Sequence, residues 1–137
     1  MHSRDQVSDR PILVIEDDPA IALFLEMVLT TEGYAVVVAS DGETALSAVE
    51  AQAPALILMD MHLPTRHGGE VHTPGRAGAF LFRALRDRQI TAPVVAVTAD
   101  TRAAETARAE GVTDTLLKPF DVDDLFAIVN RYTGTPQ

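Results

Sequence analysis

Five short apolar runs recur along the chain at intervals that leave room for a helix after each. They occupy positions 12–15, 36–38, 55–59, 94–97 and 116–117. Short segments that are apolar at every position are typical of strands buried on both faces of a parallel sheet. The third, fourth and fifth runs are each followed by or end in a polar residue, which is Asp60, Thr98 or Lys118. The pattern predicts five buried strands with polar carboxyl ends.

Helical patterns separate these runs. Asp18 is predicted to cap the first helix, with Pro19 in its first turn and Gly33 as its stop. Apolar residues recur in this helix at helical spacing: Ile21, Phe24, Leu25, Val28 and Leu29. Ser40 and Glu43 form a capping-box pattern ahead of the second helix.

Three further helices are predicted at 79–88, 101–110 and 121–132. Asp121 is the expected cap of the last one, and its apolar stripe contains Leu125, Ile128, Val129 and Tyr132. Strands that alternate with helices indicate an α/β fold with a doubly wound, five-stranded parallel sheet. We expect one domain over 11–132, a flexible leader over 1–10 and a tail over 133–137.

Composition and charge limit the protein class, the cellular location and the binding partners expected for this domain. Its 47% apolar and 23% charged residues are ordinary for a globular protein. No run approaches the roughly 20 apolar residues of a membrane helix, and no apolar secretory core follows the N-terminus, so a cytoplasmic location is expected. The net charge of −9 opposes direct binding to nucleic acid or to an anionic membrane. With no cysteine, thiolate metal sites are excluded.

Polar residues from four strand ends are expected to converge at one edge of the sheet. They are Glu16, Asp17, Asp60, Thr98 and Lys118. In this type of fold, ligands bind beyond the carboxyl ends of the strands. Three carboxylates brought together repel one another, and a hard divalent cation such as Mg²⁺ relieves that repulsion. We therefore predict a divalent metal site.

Carboxylates beside such a metal have a further chemical option. One of them can attack phosphorus to form an aspartyl phosphate, provided that cations and hydroxyl groups hold the phosphoryl oxygens. Asp60 fits the role of nucleophile, and Lys118 and Thr98 fit the roles of phosphoryl partners. Taken singly, each residue reads better as a loop residue or helix cap, and only the combination favours a site. Pro119, directly after the last strand, fixes a turn beside Lys118.

The chain resembles the response regulator receiver family, the CheY-like domains, over residues 11–132. The resemblance rests on four motifs: Ile12-Leu13-Val14-Ile15-Glu16-Asp17-Asp18, Leu58-Met59-Asp60-Met61-His62-Leu63-Pro64, Val97-Thr98-Ala99 and Lys118-Pro119-Phe120. It implies the flavodoxin-like strand order 2-1-3-4-5, which is the order known for CheY.

The resemblance also implies a function in two-component or phosphorelay signal transduction. Asp60 would accept a phosphoryl group from the phosphohistidine of a sensor histidine kinase or a histidine phosphotransferase. Asp17, Asp60 and the backbone carbonyl of His62 would bind Mg²⁺ or Mn²⁺, and Glu16 would reach the metal through water. Such a domain catalyses its own phosphorylation and dephosphorylation and turns over no external substrate.

A switch of the partner surface follows from the same resemblance. Thr98 would move to hydrogen-bond the phosphoryl group and Lys118 would pair with it, which shifts the surface of the fourth helix, fifth strand and fifth helix. A downstream protein, not identified by the sequence, would read that surface, and a phosphorylation-dependent homodimer is a further option. The small Ala99 should leave the pocket open to the phosphodonor.

Two features depart from the family pattern. Thr115 stands where the family usually has Tyr or Phe, so the aromatic half of the switch is missing. The connection between the third strand and third helix, 65–78, is longer than the family needs and is predicted to be irregular. Our hypothesis is that this loop alters access to Asp60.

Several residues near the pocket are candidate modulators. His62 lies two positions after Asp60, and Asp100 lies two after Thr98, where family side chains influence hydrolysis of the phosphoryl group. His62, His67 and His72 recur every five residues, but no helix would place them on one face. They are interpreted as solvated loop histidines rather than metal ligands.

Two alternative functions stay open on the same sequence. One is a phosphate-independent interaction module with the same fold, which the complete set of pocket residues disfavours. The other is an aspartyl-phosphate phosphohydrolase, whose nucleophile usually follows the first strand rather than the third. A dinucleotide-binding fold is disfavoured because Glu16, Asp17 and Asp18 replace the glycines that would hold a pyrophosphate.

Overall fold

The computed structural model describes residues 10–63 and 76–134. The strands are β1 (Ile12–Ile15), β2 (Val36–Ala39), β3 (Leu56–Asp60), β4 (Val94–Thr98) and β5 (Asp114–Leu117). The helices are α1 (Pro19–Thr31), α2 (Gly42–Ala51), α3 (Arg76–Asp87), α4 (Thr101–Glu110) and α5 (Val122–Thr133). Strands and helices alternate along the chain, as the sequence predicts.

The strands form one parallel sheet in the order β2-β1-β3-β4-β5. Every residue of β1, β3 and β4 is buried, which explains why those strands are apolar except at Asp60 and Thr98, the last residues of β3 and β4. The edge strands β2 and β5 are each partly exposed. The predicted fold class and strand order are both confirmed.

Helices cover both faces of the sheet. Residues of α2, α3 and α4 pack in one apolar cluster with alternate residues of β1 and β3, such as Leu13 and Ile57. Residues of α1 and α5 pack in a second cluster with the intervening residues, such as Val14 and Leu58. Because successive side chains of a strand point to opposite faces of the sheet, each of these strands contributes residues to both apolar clusters.

The helix caps are mostly those that the sequence predicts. Asp18 caps α1 by accepting hydrogen bonds from the N–H groups of Ala20 and Ile21, and Asp121 forms a capping box with Asp124 in α5. The predicted Ser40 cap is wrong: Asp41 caps α2 by accepting from the Thr44 N–H at 2.8 Å. An aspartate and a serine cap equally well, so adjacent candidates are poorly separated by sequence.

Helices α1 and α3 show two other differences from the predictions. Phe24, assigned to the apolar stripe of α1, is 44% exposed, because the buried stripe runs through Ala22, Leu25 and Leu29. Helix α3 begins at Arg76 rather than at 79. Gly78, read as loop, lies in its first turn against Met61.

Parts of the predicted domain organisation fall outside the described residues. These are positions 1–9 of the leader, 64–75 of the long connection, and 135–137 of the tail. Within the described part of the chain, none of the helices combines the length and apolar character needed to cross a membrane.

Candidate functional site

Three carboxylates meet at the carboxyl edge of the sheet. Oxygen atoms of Glu16, Asp17 and Asp60 all lie within 4.8 Å of one another. The cause is the strand pairing: Ile15 at the end of β1 is paired with Met59 in β3, so the residues that follow them are neighbours. Residues 44 positions apart in sequence thus form one acidic cluster, as parallel pairing of these strands requires.

Glu16 is the most constrained member of the cluster. It is only 3% exposed, yet its carboxylate accepts hydrogen bonds from Lys118 Nζ and from the Asp18 N–H, each at 3.2 Å. Burial raises the pKa of Glu16 from 4.5 to about 7, and the neighbouring Asp60 carboxyl adds to this rise. The positive charge of Lys118 acts in the opposite direction but does not cancel these effects.

Asp60 ends β3 and is 5% exposed. Its Oδ1 accepts a hydrogen bond from the His62 N–H at 3.0 Å. Lys118 Nζ lies 4.0 Å from the same oxygen. The Asp60 carboxylate is therefore held by the backbone of His62 in the turn that follows β3, and it faces the ammonium group of Lys118 at the end of β5.

Lys118 follows β5 directly, and its N–H donates to the Thr98 carbonyl oxygen at 2.8 Å. This backbone hydrogen bond continues the β4–β5 pairing and fixes the position of the Lys118 backbone at the edge of the sheet. The Lys118–Pro119 peptide bond is cis. Lys118 and Thr98 therefore reach the edge of the sheet side by side.

Thr98 is fully buried at the end of β4. Its hydroxyl oxygen accepts a hydrogen bond from the Asp100 N–H at 3.1 Å and lies 3.1 Å from His62 Nε2. His62 itself is exposed, as expected of a loop residue, but its ring is bonded to a buried side chain. Sequence reasoning missed this contact, because spacing alone does not show that the ring of His62, directly after β3, reaches the end of β4.

The two residues after Thr98 differ in their environments. Ala99 is exposed, so it leaves the surface beside Thr98 open. Asp100 caps α4, and its Oδ1 accepts a hydrogen bond from the Arg102 N–H at 2.9 Å. The carboxylate of Asp100 thus has a structural partner in addition to its place near the pocket.

Thr115, the position without an aromatic side chain, lies on β5 and is half-buried. Its hydroxyl oxygen accepts two hydrogen bonds from Arg108 of α4, at 2.6 Å from Nη2 and at 3.2 Å from Nε. Arg108 was not singled out from the sequence. Its position in the last turn of α4, seven residues before Thr115, is the signal that links it to β5.

The donor set at the edge suits a hard divalent cation. Three carboxylates within a few ångströms supply the oxygen ligands that Mg²⁺ and Mn²⁺ prefer. Burial is the main cause of the raised pKa of Glu16, and the neighbouring Asp60 carboxyl adds to it, so a cation placed at the cluster would favour the ionised form of Glu16. Two of the loop histidines, His67 and His72, lie outside the described residues.

Comparison with known proteins identifies the family. Residues 12–130 match the model of the response regulator receiver domain. The transcriptional regulatory protein TcrA of Mycobacterium tuberculosis is 36% identical over 126 residues, which are 89% of this chain and 45% of TcrA. The chain therefore belongs to the response regulator receiver domain family.

Solved structures support the same assignment. The receiver domain of NtrX from Brucella abortus superposes with a TM-score of 0.77 at 28% identity, covering 90% of this chain and 98% of that one. The receiver domain of the sensor histidine kinase PA1611 from Pseudomonas aeruginosa, which has a magnesium ion in its active site cleft, gives a TM-score of 0.71 at 30% identity. That match covers 91% and 98% of the two chains.

The curated relatives are longer than this chain. It spans about a quarter of the DNA-binding transcriptional regulator NtrC from Klebsiella pneumoniae and about half of the response regulator ArlR from Staphylococcus haemolyticus. What is shared is the receiver domain of two-component response regulators, for which a phosphoacceptor role fits.

Proposed function

We propose that Asp60 is the phosphoacceptor of this receiver domain. The observation that carries the proposal is the position of its carboxylate, which lies within 4.8 Å of the Glu16 and Asp17 carboxylates and 4.0 Å from Lys118 Nζ. A carboxylate between an acidic cluster and a cation has both a site for a metal and a partner for phosphoryl oxygens. The membership of the family supports the same role.

The reaction is a phosphoryl transfer from a phosphohistidine. A carboxylate oxygen of Asp60 attacks phosphorus, the new O–P bond forms and the N–P bond breaks. The electron pair of that bond stays on the departing imidazole nitrogen, which takes up a proton. The signal ends by hydrolysis of the aspartyl phosphate: water attacks phosphorus, the O–P bond to Asp60 breaks, and inorganic phosphate leaves. Both steps are self-catalysed, with no external substrate turned over.

Asp17, Asp60 and the backbone carbonyl of His62 would hold Mg²⁺ or Mn²⁺, and Glu16 would act through water. When bound, the ion supplies charge neutralisation for the phosphoryl oxygens. The acidic cluster and the magnesium-containing PA1611 receiver domain support this assignment. The residues themselves orient the group: Lys118 pairs with one phosphoryl oxygen and Thr98 hydrogen-bonds another.

The phosphodonor would be a sensor histidine kinase or a histidine phosphotransferase, as the family's role in two-component signalling indicates. The altered surface would then bind a downstream protein. A net charge of −9 supports a protein partner rather than direct contact with nucleic acid or an anionic membrane. A cytoplasmic location and a phosphorylation-dependent homodimer stay predictions.

The test is phosphorylation by a small donor. The protein is incubated with acetyl phosphate and Mg²⁺ and examined by intact mass, beside Asp60→Asn and the control Asp123→Asn, an exposed aspartate of α5. We expect one added phosphoryl group on the wild type and the control and none on Asp60→Asn. Equal labelling of all three proteins, or labelling of none, contradicts the proposal.

A further inference from the structure

The hydroxyl group of Thr98 already has two partners in this structure. Its oxygen accepts the Asp100 N–H at 3.1 Å, and His62 Nε2 lies 3.1 Å away. A threonine hydroxyl offers one hydrogen and two lone pairs. With one lone pair occupied by Asp100, the hydroxyl can still donate its hydrogen to an unprotonated ring nitrogen or accept from a ring N–H with its second lone pair.

A phosphoryl oxygen would need the same hydroxyl hydrogen of Thr98. Phosphoryl oxygens only accept hydrogen bonds, so Thr98 binds one by directing its single hydroxyl hydrogen at it. We propose that His62 is a latch on Thr98: it accepts that hydrogen in the unphosphorylated protein and must release it before Thr98 binds the phosphoryl group. This inference rests on the proposed role of Asp60.

The geometry connects the latch to the phosphoacceptor. The N–H of His62 donates to Asp60 Oδ1 at 3.0 Å, while the ring of the same residue reaches Thr98. Chemistry at the Asp60 carboxylate therefore acts on the backbone that carries the latch. One residue contacts both the group that is modified and the group that responds.

Burial explains why release is feasible. Thr98 is fully buried, so its hydroxyl needs a partner in either state. His62 is exposed, so a released imidazole is hydrated by solvent at little cost. The exchange therefore replaces one partner of the buried hydroxyl with another and leaves no buried polar group unpaired.

The decisive measurement is affinity for a phosphoryl mimic. Beryllofluoride is titrated with Mg²⁺ into the wild type and His62→Ala, and binding is followed by calorimetry. Loss of the latch should tighten binding by about five-fold, the factor that corresponds to the net free energy of one neutral hydrogen bond. A residue with a merely structural role would leave the affinity unchanged or weaken it. Equal or weaker binding by His62→Ala overturns the proposal.

A double-mutant cycle tests whether the effect passes through the hydroxyl. His62→Ala is repeated in the Thr98→Val background, which lacks the hydroxyl, and in the Thr98→Ser background, which keeps it. Tightening with Ser and none with Val supports the latch, and tightening in both overturns it. If neither background folds, the single His62→Ala comparison decides alone.

The latch and the proposed function fail in distinguishable ways. Acetyl phosphate labelling of the wild type tests Asp60 as phosphoacceptor, without reference to His62. If the wild type is labelled but His62→Ala binds beryllofluoride with unchanged affinity, the latch is wrong and the proposed function stands. Unlabelled wild type sinks the proposed function, whatever the His62 variant does.

Discussion

The ammonium group of Lys118 lies 3.2 Å from Oε1 of Glu16, although the two residues are 102 positions apart in the chain. The same nitrogen is 4.0 Å from Oδ1 of Asp60. Lys118 is thus shared between a buried acid that it neutralises and the proposed phosphoacceptor. Its first role concerns stability and its second concerns chemistry, so the two can be measured separately.

Replacing Lys118 by Met leaves Glu16 buried without its cation. We expect the free energy of unfolding at pH 8 to fall by about 1 to 3 kcal/mol, the usual cost of leaving a buried group unpaired. The loss should be smaller at pH 5, because Glu16 is protonated there. Urea denaturation at the two pH values measures both. Arg131→Met, which breaks the more exposed pair with Asp114, is the control and should cost less. An equal loss at both pH values contradicts the prediction.

The raised pKa of Glu16 predicts how stability depends on pH without metal. Between its ordinary pKa of 4.5 and about 7, the folded protein holds a proton that the unfolded chain has released. Stability therefore falls as pH rises through that window, by on the order of 3 kcal/mol, and then levels off. Glu16→Gln should remove most of this slope. Thermal or urea unfolding in chelator from pH 4.5 to 8 provides the test, and parallel curves for the two proteins refute it.

Metal binding should show the reciprocal pH dependence. A divalent ion at the cluster favours the ionised form of Glu16, so binding releases the proton that the metal-free protein holds. Mg²⁺ affinity should rise by up to about tenfold per pH unit below pH 7 and change little above it. Calorimetric titration in buffers of different ionisation enthalpy would detect the released proton. An affinity that does not vary between pH 5.5 and 7 argues against this coupling.

Gly78 is required by close packing rather than by a turn. A Cβ at this position would lie 2.7 Å from Met61 Sδ and 3.0 Å from Met61 Cα. Overpacking of this kind costs typically about 1 to 3 kcal/mol, against roughly 1 kcal/mol that Ala contributes in a helix. We expect Gly78→Ala to be destabilising by urea denaturation, and less so in the Met61→Ala background. A stabilised Gly78→Ala would show that Met61 moves freely.

Ala99 is predicted to keep the approach to Asp60 open. It is exposed beside Thr98, so Ala99→Leu places a bulky side chain where the phosphodonor must enter. We expect labelling by acetyl phosphate to slow roughly tenfold or more, since misplacement by about 1 Å can cost a hundredfold. Ala109→Leu, an exposed position of α4, is the matched control. Equal rates for the two variants would remove Ala99 from the site.

The positions of the strands and the residues that meet at the carboxyl edge could be predicted from the sequence pattern, whereas the order of the strands in the sheet came from the resemblance to the receiver family. Buried parallel strands must be apolar at every position, so β1, β3 and β4 are visible as continuous runs, and a polar residue marks where each ends. Edge strands carry less of this signal: β5 begins with Asp114 and Thr115, and only its last two residues were predicted. Helix starts were uncertain by one to three residues where caps compete or where a glycine serves packing.

Sequence alone determined which residue types lie at the carboxyl edge, because parallel pairing brings strand ends together whatever the loops do. Only the tertiary structure decided which of them touch. Lys118 donates a hydrogen bond to Glu16, and Arg108 donates one to Thr115. The ring of His62 contacts the Thr98 hydroxyl. These contacts depend on loop paths and side-chain rotamers, which no periodicity encodes. Asp60 is thus predicted by pattern, whereas the hydrogen bonds that would govern its switch are set by three-dimensional packing.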